Sequence, residues 1–278
     1  MKRLYIAGTR PGAGKTTVAR ALARGLTNRG LRVAVMKPVE TGCELAPGAG
    51  PAPLSAGGMP GPLDPQQVEA LARLERIAGP PPAPLAGRTP ASSLRPRDAQ
   101  LLLAAARREL PLEQVCPYRY APALEPAVCA RAREEPIELS VISRHFSALA
   151  AEADHVIVEG TAGLMAPLNS ELLMVDLVRE LELSVLLVGP CSVGVVNDVL
   201  LNLELLRARG IEVLGVVLRR GDSSFAPEEA ANPLQIEEVA GPLVRGTLPH
   251  FTAEQLADDD VLAQRLRVHS DLLDPPGK

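Results

Sequence analysis

The stretch YIAGTRPGAGKTTVARAL, residues 5–22, decides the fold. An apolar run ends in a glycine-rich turn, and Gly-Lys-Thr-Thr then opens a segment with Val18, Leu22 and Leu26 at helical spacing, predicting a helix over 15–29. In a strand–loop–helix of this kind the backbone N–H groups and the helix N-terminus wrap phosphates. Gly12, Ala13 and Gly14 supply that backbone, and Lys15 neutralises β/γ oxygens. The Thr16 hydroxyl is a candidate Mg²⁺ ligand, with Thr17 beside it. Five residues, where four are usual, separate Gly8 from Gly14. LRVAVM (31–36), reached through Gly30, is a second strand and completes a β-α-β unit.

Lysine usage points to a second position. The lysines are Lys2, Lys15, Lys37 and Lys278 among 29 basic residues, so arginine is the default cation and two lysines stand beside turns in the first forty residues. A compact ammonium differs from a forked guanidinium in what it can reach. In KPVETG (37–42), Lys37 ends the second strand, at the carboxyl edge where open α/β sheets bind ligands. Pro38 disfavours a helical backbone at Lys37 and keeps it extended toward that crevice. Thr41 and Gly42 add a hydroxyl and an open backbone.

Composition bounds the rest. The 278 residues are 46% hydrophobic but only 2% aromatic with no tryptophan, so the core is aliphatic. A net charge of −4 without a basic block argues against a nucleic-acid partner. Four cysteines without paired spacing argue against a disulfide framework. No apolar run reaches membrane-spanning length and no signal-peptide pattern precedes RLYIAG, so a cytoplasmic setting without membrane attachment is expected.

Strands are expected at 3–8, 31–36, 155–160, 184–189, 213–218 and near 243–248. Helices are expected at 97–109, 138–152, 173–181 and 194–209. This alternation predicts an α/β fold, a mostly parallel doubly wound sheet with helices on both faces, like a P-loop NTPase. We read a single domain over 1–278 with a Pro/Gly/Ala-rich insertion at about 45–95. Inside that insertion Asp64, Pro65 and Gly79 mark the start and stop of a short helix.

VIVEGTAG (156–163) places Glu159 at the carboxyl end of an apolar strand, suited to an Mg²⁺ site or its water shell, and Gly160 and Gly163 leave room for phosphate or substrate. Asp98 in RPRDAQLL starts a helix, and N-capping and metal ligation both account for it. Cys191 in GPCSVG has no histidine placed to partner it, and the four histidines lack metal-ligand spacing.

Together these segments resemble the dethiobiotin synthetases. GTRPGAGKT carries that family's five-residue interval, and KPVETG is similar to its K-P-V-x-[ST]-G. PYRYAPALEPAVCARAREEPIEL (117–139), VEGTAGLMAPL, VGPCSVGVVNDVLL and GVVLRR follow in the family's order. The resemblance implies an ATP-dependent cyclo-ligase that joins 7,8-diaminononanoate and CO₂ to give dethiobiotin, ADP and phosphate. It assigns Lys15 to the phosphates of ATP, Lys37 to the carbamate and the transferred phosphoryl, and Thr41 to the substrate. Thr16, Asp98 and Glu159 would hold Mg²⁺. It further implies a homodimer in which the helix opening near Gly194–Asn197 meets the substrate carboxylate of the neighbouring subunit. The chain departs from the pattern at Arg10-Pro11, at Ala127 where the family has histidine, in Gly160-Thr161-Ala162-Gly163 where the family reads G-A-G-G, and at Arg219 where an asparagine reads adenine. Other readings are a cobyrinate-type amidating ligase, which would need a glutaminase domain, a ParA/MinD-like ATPase switch, in which KPVETG has no role, and a diverged nucleotide binder without turnover.

Overall fold

The computed structural model describes residues 1–46, 90–221 and 227–266. Strand β1 (Lys2–Gly8) leads through the glycine loop into helix α1 (Lys15–Asn28) and back to β2 (Val33–Met36). Two short strands follow, β3 (Val39–Thr41) and β4 (Glu44–Leu45). The chain is next described at a 3₁₀ turn (Ala91–Ser93) and β5 (Leu94–Arg95), which precede α2 (Arg97–Ala105), α3 (Leu112–Val115), β6 (Tyr118–Tyr120), α4 (Pro126–Arg133) and α5 (Leu139–Ala151). Regular alternation then runs through β7 (His155–Glu159), α6 (Met174–Glu180), β8 (Ser184–Pro190), α7 (Val195–Ala208), β9 (Val213–Arg219), α8 (Pro227–Ala240) and β10 (Val244–Leu248). Helices α9 (Ala253–Ala257) and α10 (Asp259–Leu266) end the described chain.

Six strands form one sheet in the order β10-β9-β8-β1-β7-β2, and every pairing is parallel. Period-two alternation splits the core between its faces. Leu4 and Ile6 pack with Val18, Leu22 and Leu26 of α1 and Leu102 of α2, while Tyr5 and Ala7 face Ile142 and Phe146 of α5 and Val199 and Leu203 of α7. Both faces are therefore covered, as a parallel sheet requires. The expected α/β sheet is the observed one, and each of the six anticipated strands is present.

The carboxyl ends of β1, β2, β7, β8 and β9 lie along one edge, and β1 sits where the order reverses between β8 and β7. Two smaller pairings build up that edge. β3 pairs in parallel with β6, setting Glu40 opposite Arg119 and Thr41 opposite Tyr120. β4 pairs antiparallel with β5, setting Glu44 opposite Arg95 and Leu45 opposite Leu94, so the chain on either side of residues 47–89 is drawn together. The helix expected at 64–79 and His269 lie outside the described residues.

Three expectations need correction. The helix predicted to run to 109 stops at Ala105, because Arg107 takes a left-handed backbone (φ 50°). Asp98 does not cap α2: Pro96 is the boundary residue, and Asp98 lies in the first turn with its carboxylate directed elsewhere. Helices α3, α4, α8, α9 and α10 were not foreseen. α10 docks on α1 through Asp259, which accepts from Arg20 Nε at 2.8 Å and Arg24 Nη2 at 3.4 Å. A half-buried acidic helix start thereby neutralises two arginines of α1.

Candidate active site

The glycine loop closes tightly onto α1. Gly14 sits at φ 103°, a left-handed conformation, and the side chain of Arg219 occupies the space a Cβ there would need, its Cδ only 2.6 Å away. Glycine is thus required twice over, by backbone and by neighbour. Arg219, at the end of β9, donates from Nη2 to the Gly12 carbonyl at 3.4 Å, and its buried Nε has no partner among the described residues. Arg10 leans across the loop and donates to Ser192 Oγ at 2.7 Å, tying the glycine loop to the turn before α7.

Lys37 follows β2 directly and is 3% exposed. Its ammonium donates to Glu159 Oε1 at 2.6 Å, to Asp98 Oδ2 at 3.0 Å and to the Gly160 carbonyl at 3.2 Å. Burial works against its charge, but the Glu159 and Asp98 carboxylates outweigh burial and hold it well above the ordinary lysine range. Thr16 donates from Oγ1 to the same Glu159 oxygen at 2.8 Å. Lys15 reaches the Ala162 carbonyl at 3.4 Å, and burial followed by the Lys37 charge pushes its ammonium below the ordinary lysine range.

Lys15, Thr16, Thr17, Lys37, Thr41, Asp98, Glu159 and Arg219 thus line one cavity of about 390 Å³ together with Gly12, Gly14 and Thr161. Ala13 lies fully buried behind it. Gly160 and Gly163 are not among the lining residues. A Cβ on Gly160 would overlap the Tyr5 hydroxyl, so that glycine makes room for a core tyrosine and presents its carbonyl to Lys37, whereas nothing approaches Gly163. Thr161, in place of a family alanine, donates its hydroxyl to the Val39 carbonyl and straps the loop after β7 to β3. Gly194 and Asn197, at the start of α7, are not among the residues lining this cavity. Gly194 is the left-handed residue before the helix, no side chain caps it, and Asn197 is exposed.

Glu159 is fully buried, and its Oε2 has no partner among the described residues. A buried carboxylate oxygen left unsatisfied, beside a threonine hydroxyl and an aspartate, is the donor chemistry Mg²⁺ takes from proteins. Thr16, Asp98 and Glu159 therefore fit the ion.

Pro11, Glu40, Thr161 and Ala162 also line the cavity without having been read as site residues, and Glu40 is the charged one among them. Glu40 is 5% exposed, and its carboxylate accepts the backbone N–H groups of Asp98 at 2.9 Å and Ala99 at 3.1 Å. Burial pushes it up to about 7, with the Lys37 charge and those two amides pulling the other way. A charged residue inside an apolar segment, three places after Lys37, was the available signal. The four cysteines are all buried.

Comparison with known proteins places nearly the whole chain in a family. The AAA domain family matches residues 2–82 and 84–255. The ATP-dependent dethiobiotin synthetase BioD of Anaeromyxobacter sp. (strain Fw109-5) is 34% identical over 88% of this chain and 89% of its own. That of Thermodesulfovibrio yellowstonii is 28% identical over 89% and 88%. Among solved structures, the septum site-determining protein MinD complexed with Mg-ADP from Pyrococcus horikoshii OT3 superposes with a TM-score of 0.51 at 16% identity, covering 98% of this chain and 94% of that one. The last likeness concerns the fold alone. With identity above 30% along nearly the whole chain, and the glycine loop, KPVETG and VEGTAG segments meeting in one cavity, this protein belongs to the family of ATP-dependent dethiobiotin synthetases.

Proposed function

We propose that the chain is a dethiobiotin synthase, converting 7,8-diaminononanoate, CO₂ and MgATP to dethiobiotin, ADP and phosphate. The observation that carries this reading is the convergence of Lys15 and Lys37 with Thr16, Asp98 and Glu159 around one cavity. In the proposed reaction a substrate amine attacks CO₂ and loses a proton, giving a carbamate. A carbamate oxygen attacks the γ-phosphorus and ADP leaves, forming a mixed carbamic-phosphoric anhydride. The second amine then attacks the carbonyl carbon, phosphate departs and the cyclic urea closes. Negative charge moves through each step, so the work asked of the protein is positioning and neutralisation. Lys15 holds the β/γ-phosphates, Lys37 faces the carbamate and the transferred phosphoryl, and Thr41 orients the substrate. Thr16, Asp98 and Glu159 hold Mg²⁺, which when bound neutralises phosphate oxygens.

We further propose that 1–278 is one domain with an insertion at about 45–95, cytoplasmic, acting as a homodimer with no nucleic-acid or membrane partner. No helix among the described residues is long and apolar enough to cross a membrane. The uncapped start of α7 at Gly194–Asn197 would receive the substrate carboxylate of the partner subunit, since a helix N-terminus offers unsatisfied N–H donors and partial positive charge.

The deciding experiment measures phosphate release from MgATP with bicarbonate, with and without diaminononanoate. Release that depends on the diamine, with dethiobiotin formed in equal amount, supports the reading. Release indifferent to the diamine, or none, favours an ATPase switch or a nucleotide binder.

A further inference from the structure

We propose that Glu40 is a positioning residue that sets the metal end of the site by anchoring the first turn of α2; this rests on the Mg²⁺ reading above. A helix leaves its first amides without intrahelical partners, and a nearby side chain usually accepts from them. At α2 no local side chain does so, Pro96 being the boundary residue. Glu40 instead reaches in from β3, and its two carboxylate oxygens take one amide each, from Asp98 and from Ala99. Its carboxyl group also faces the positive end of the helix.

The residue fastened this way is a candidate ligand. The Asp98 side chain is 36% exposed, so packing alone does not decide where its carboxylate points. Two hydrogen bonds to its own and the next amide fix the backbone from which it projects, and the carboxylate then meets Lys37 at 3.0 Å. Lys37 and Glu40 belong to one short segment, Lys37-Pro38-Val39-Glu40, whose far end is pinned by the pairing of β3 with β6. One segment therefore delivers both the ammonium and the anchor for its partner, so the spacing of Lys37, Asp98 and Glu159 is set from one side. The pattern K-P-V-x-[ST]-G leaves this position unspecified, which is why motif reading passes over it.

A plain capping role and a positioning role make different claims, and Glu40→Ala, Glu40→Gln and Thr16→Ala separate them. Three quantities are measured: hydrogen exchange at the Asp98 and Ala99 amides without ligand, Mn²⁺ binding in the presence of ADP by electron paramagnetic resonance, and the thermal midpoint. Positioning predicts faster exchange at both amides in Glu40→Ala and Mn²⁺ affinity weaker by about tenfold or more. Glu40→Gln, which keeps one acceptor, should fall between it and wild type, with ADP affinity unchanged in both Glu40 variants. If Glu40→Ala does not fold, the graded shift in Glu40→Gln carries the same test. Unchanged Mn²⁺ affinity in the Glu40 variants with weakened binding in Thr16→Ala would reduce Glu40 to a stabilising cap and leave the metal reading standing. Unchanged affinity in all three would remove both.

Discussion

Lys37 and Glu159 meet at 2.6 Å in a place from which water is nearly excluded, and the oxygen that accepts from Lys37 also accepts from Thr16. The phosphate loop and the KPVETG segment are thus joined through a single carboxylate atom. With Asp98 on its other side, the ammonium neutralises two acids at once.

Lys37→Ala should lower turnover by about 10²–10³, the usual worth of one group aimed at developing charge, while MgATP still binds. It should also destabilise the protein by about 3–5 kcal/mol, because Glu159 is left buried and unpaired. Since Mg²⁺ can neutralise the same acids, adding it should raise the thermal midpoint of the variant more than that of wild type. Near-wild-type kcat would end the role assigned to this lysine, and an equal Mg²⁺ response would end the idea that lysine and metal share the carboxylates.

Arg219 bears on nucleotide choice. An amide offers a base edge both a donor and an acceptor, whereas a guanidinium offers donors only, and this one lies against Gly12 and Gly14 in the cavity. GTP and CTP should therefore support turnover within about tenfold of ATP, measured as kcat/KM. Arg219→Asn should sharpen the preference for ATP. A preference for ATP above about a hundredfold in the unaltered chain would show that other groups read adenine.

The segment 47–89 should be dispensable for folding. Glu44–Leu45 and Leu94–Arg95 already bring its two ends side by side, and loop length is cheap, about 0.6 kcal/mol per doubling. Replacing 47–89 with a short Gly/Ser linker should leave a folded protein that binds ATP, checked by circular dichroism and nucleotide titration. An insoluble product, or lost ATP binding, would place the segment against the site.

Ala162 sits at φ 55° in the loop that accepts from Lys15. A Cβ in the left-handed region costs roughly 1–2 kcal/mol, so Ala162→Gly should be stabilising by about 1 kcal/mol and raise the thermal midpoint by about 2–4 °C. A lower midpoint would mean the methyl group is needed for packing.

A site shared between subunits predicts complementation. Val195 is fully buried, and a larger side chain there would disturb α7 itself, whereas Asn197 is exposed at the helix start. Mixing Lys37→Ala with Asn197→Trp, each inactive alone, should restore up to about one quarter of wild-type activity as two-fold mixed dimers form. No recovery despite proven subunit exchange would place the whole site within one chain.

By itself the sequence determined the α/β class, the strands of the parallel sheet and most of the cavity. Those features rest on short-range signals: apolar runs with their turns, a glycine loop between strand and helix, and lysines kept where arginine is the rule. Lys15, Thr16, Lys37 and Glu159 were legible because each stands at the end of a strand or in the first turn of the helix after the glycine loop, and a parallel sheet brings those positions to one edge. What only the tertiary structure decided are contacts between residues far apart in the chain. Asp98 was equally readable as a cap or a ligand until the fold set its carboxylate on Lys37, 61 residues earlier. Glu40 had no reading until its carboxylate met the amides of α2, 58 and 59 residues later. Arg219 was legible as a replaced base reader, but its lean onto Gly14 depends on β9 lying two strands from β1. A residue's local pattern states which backbone it favours, whereas the partner that satisfies a buried charge is chosen by packing, which local sequence does not encode.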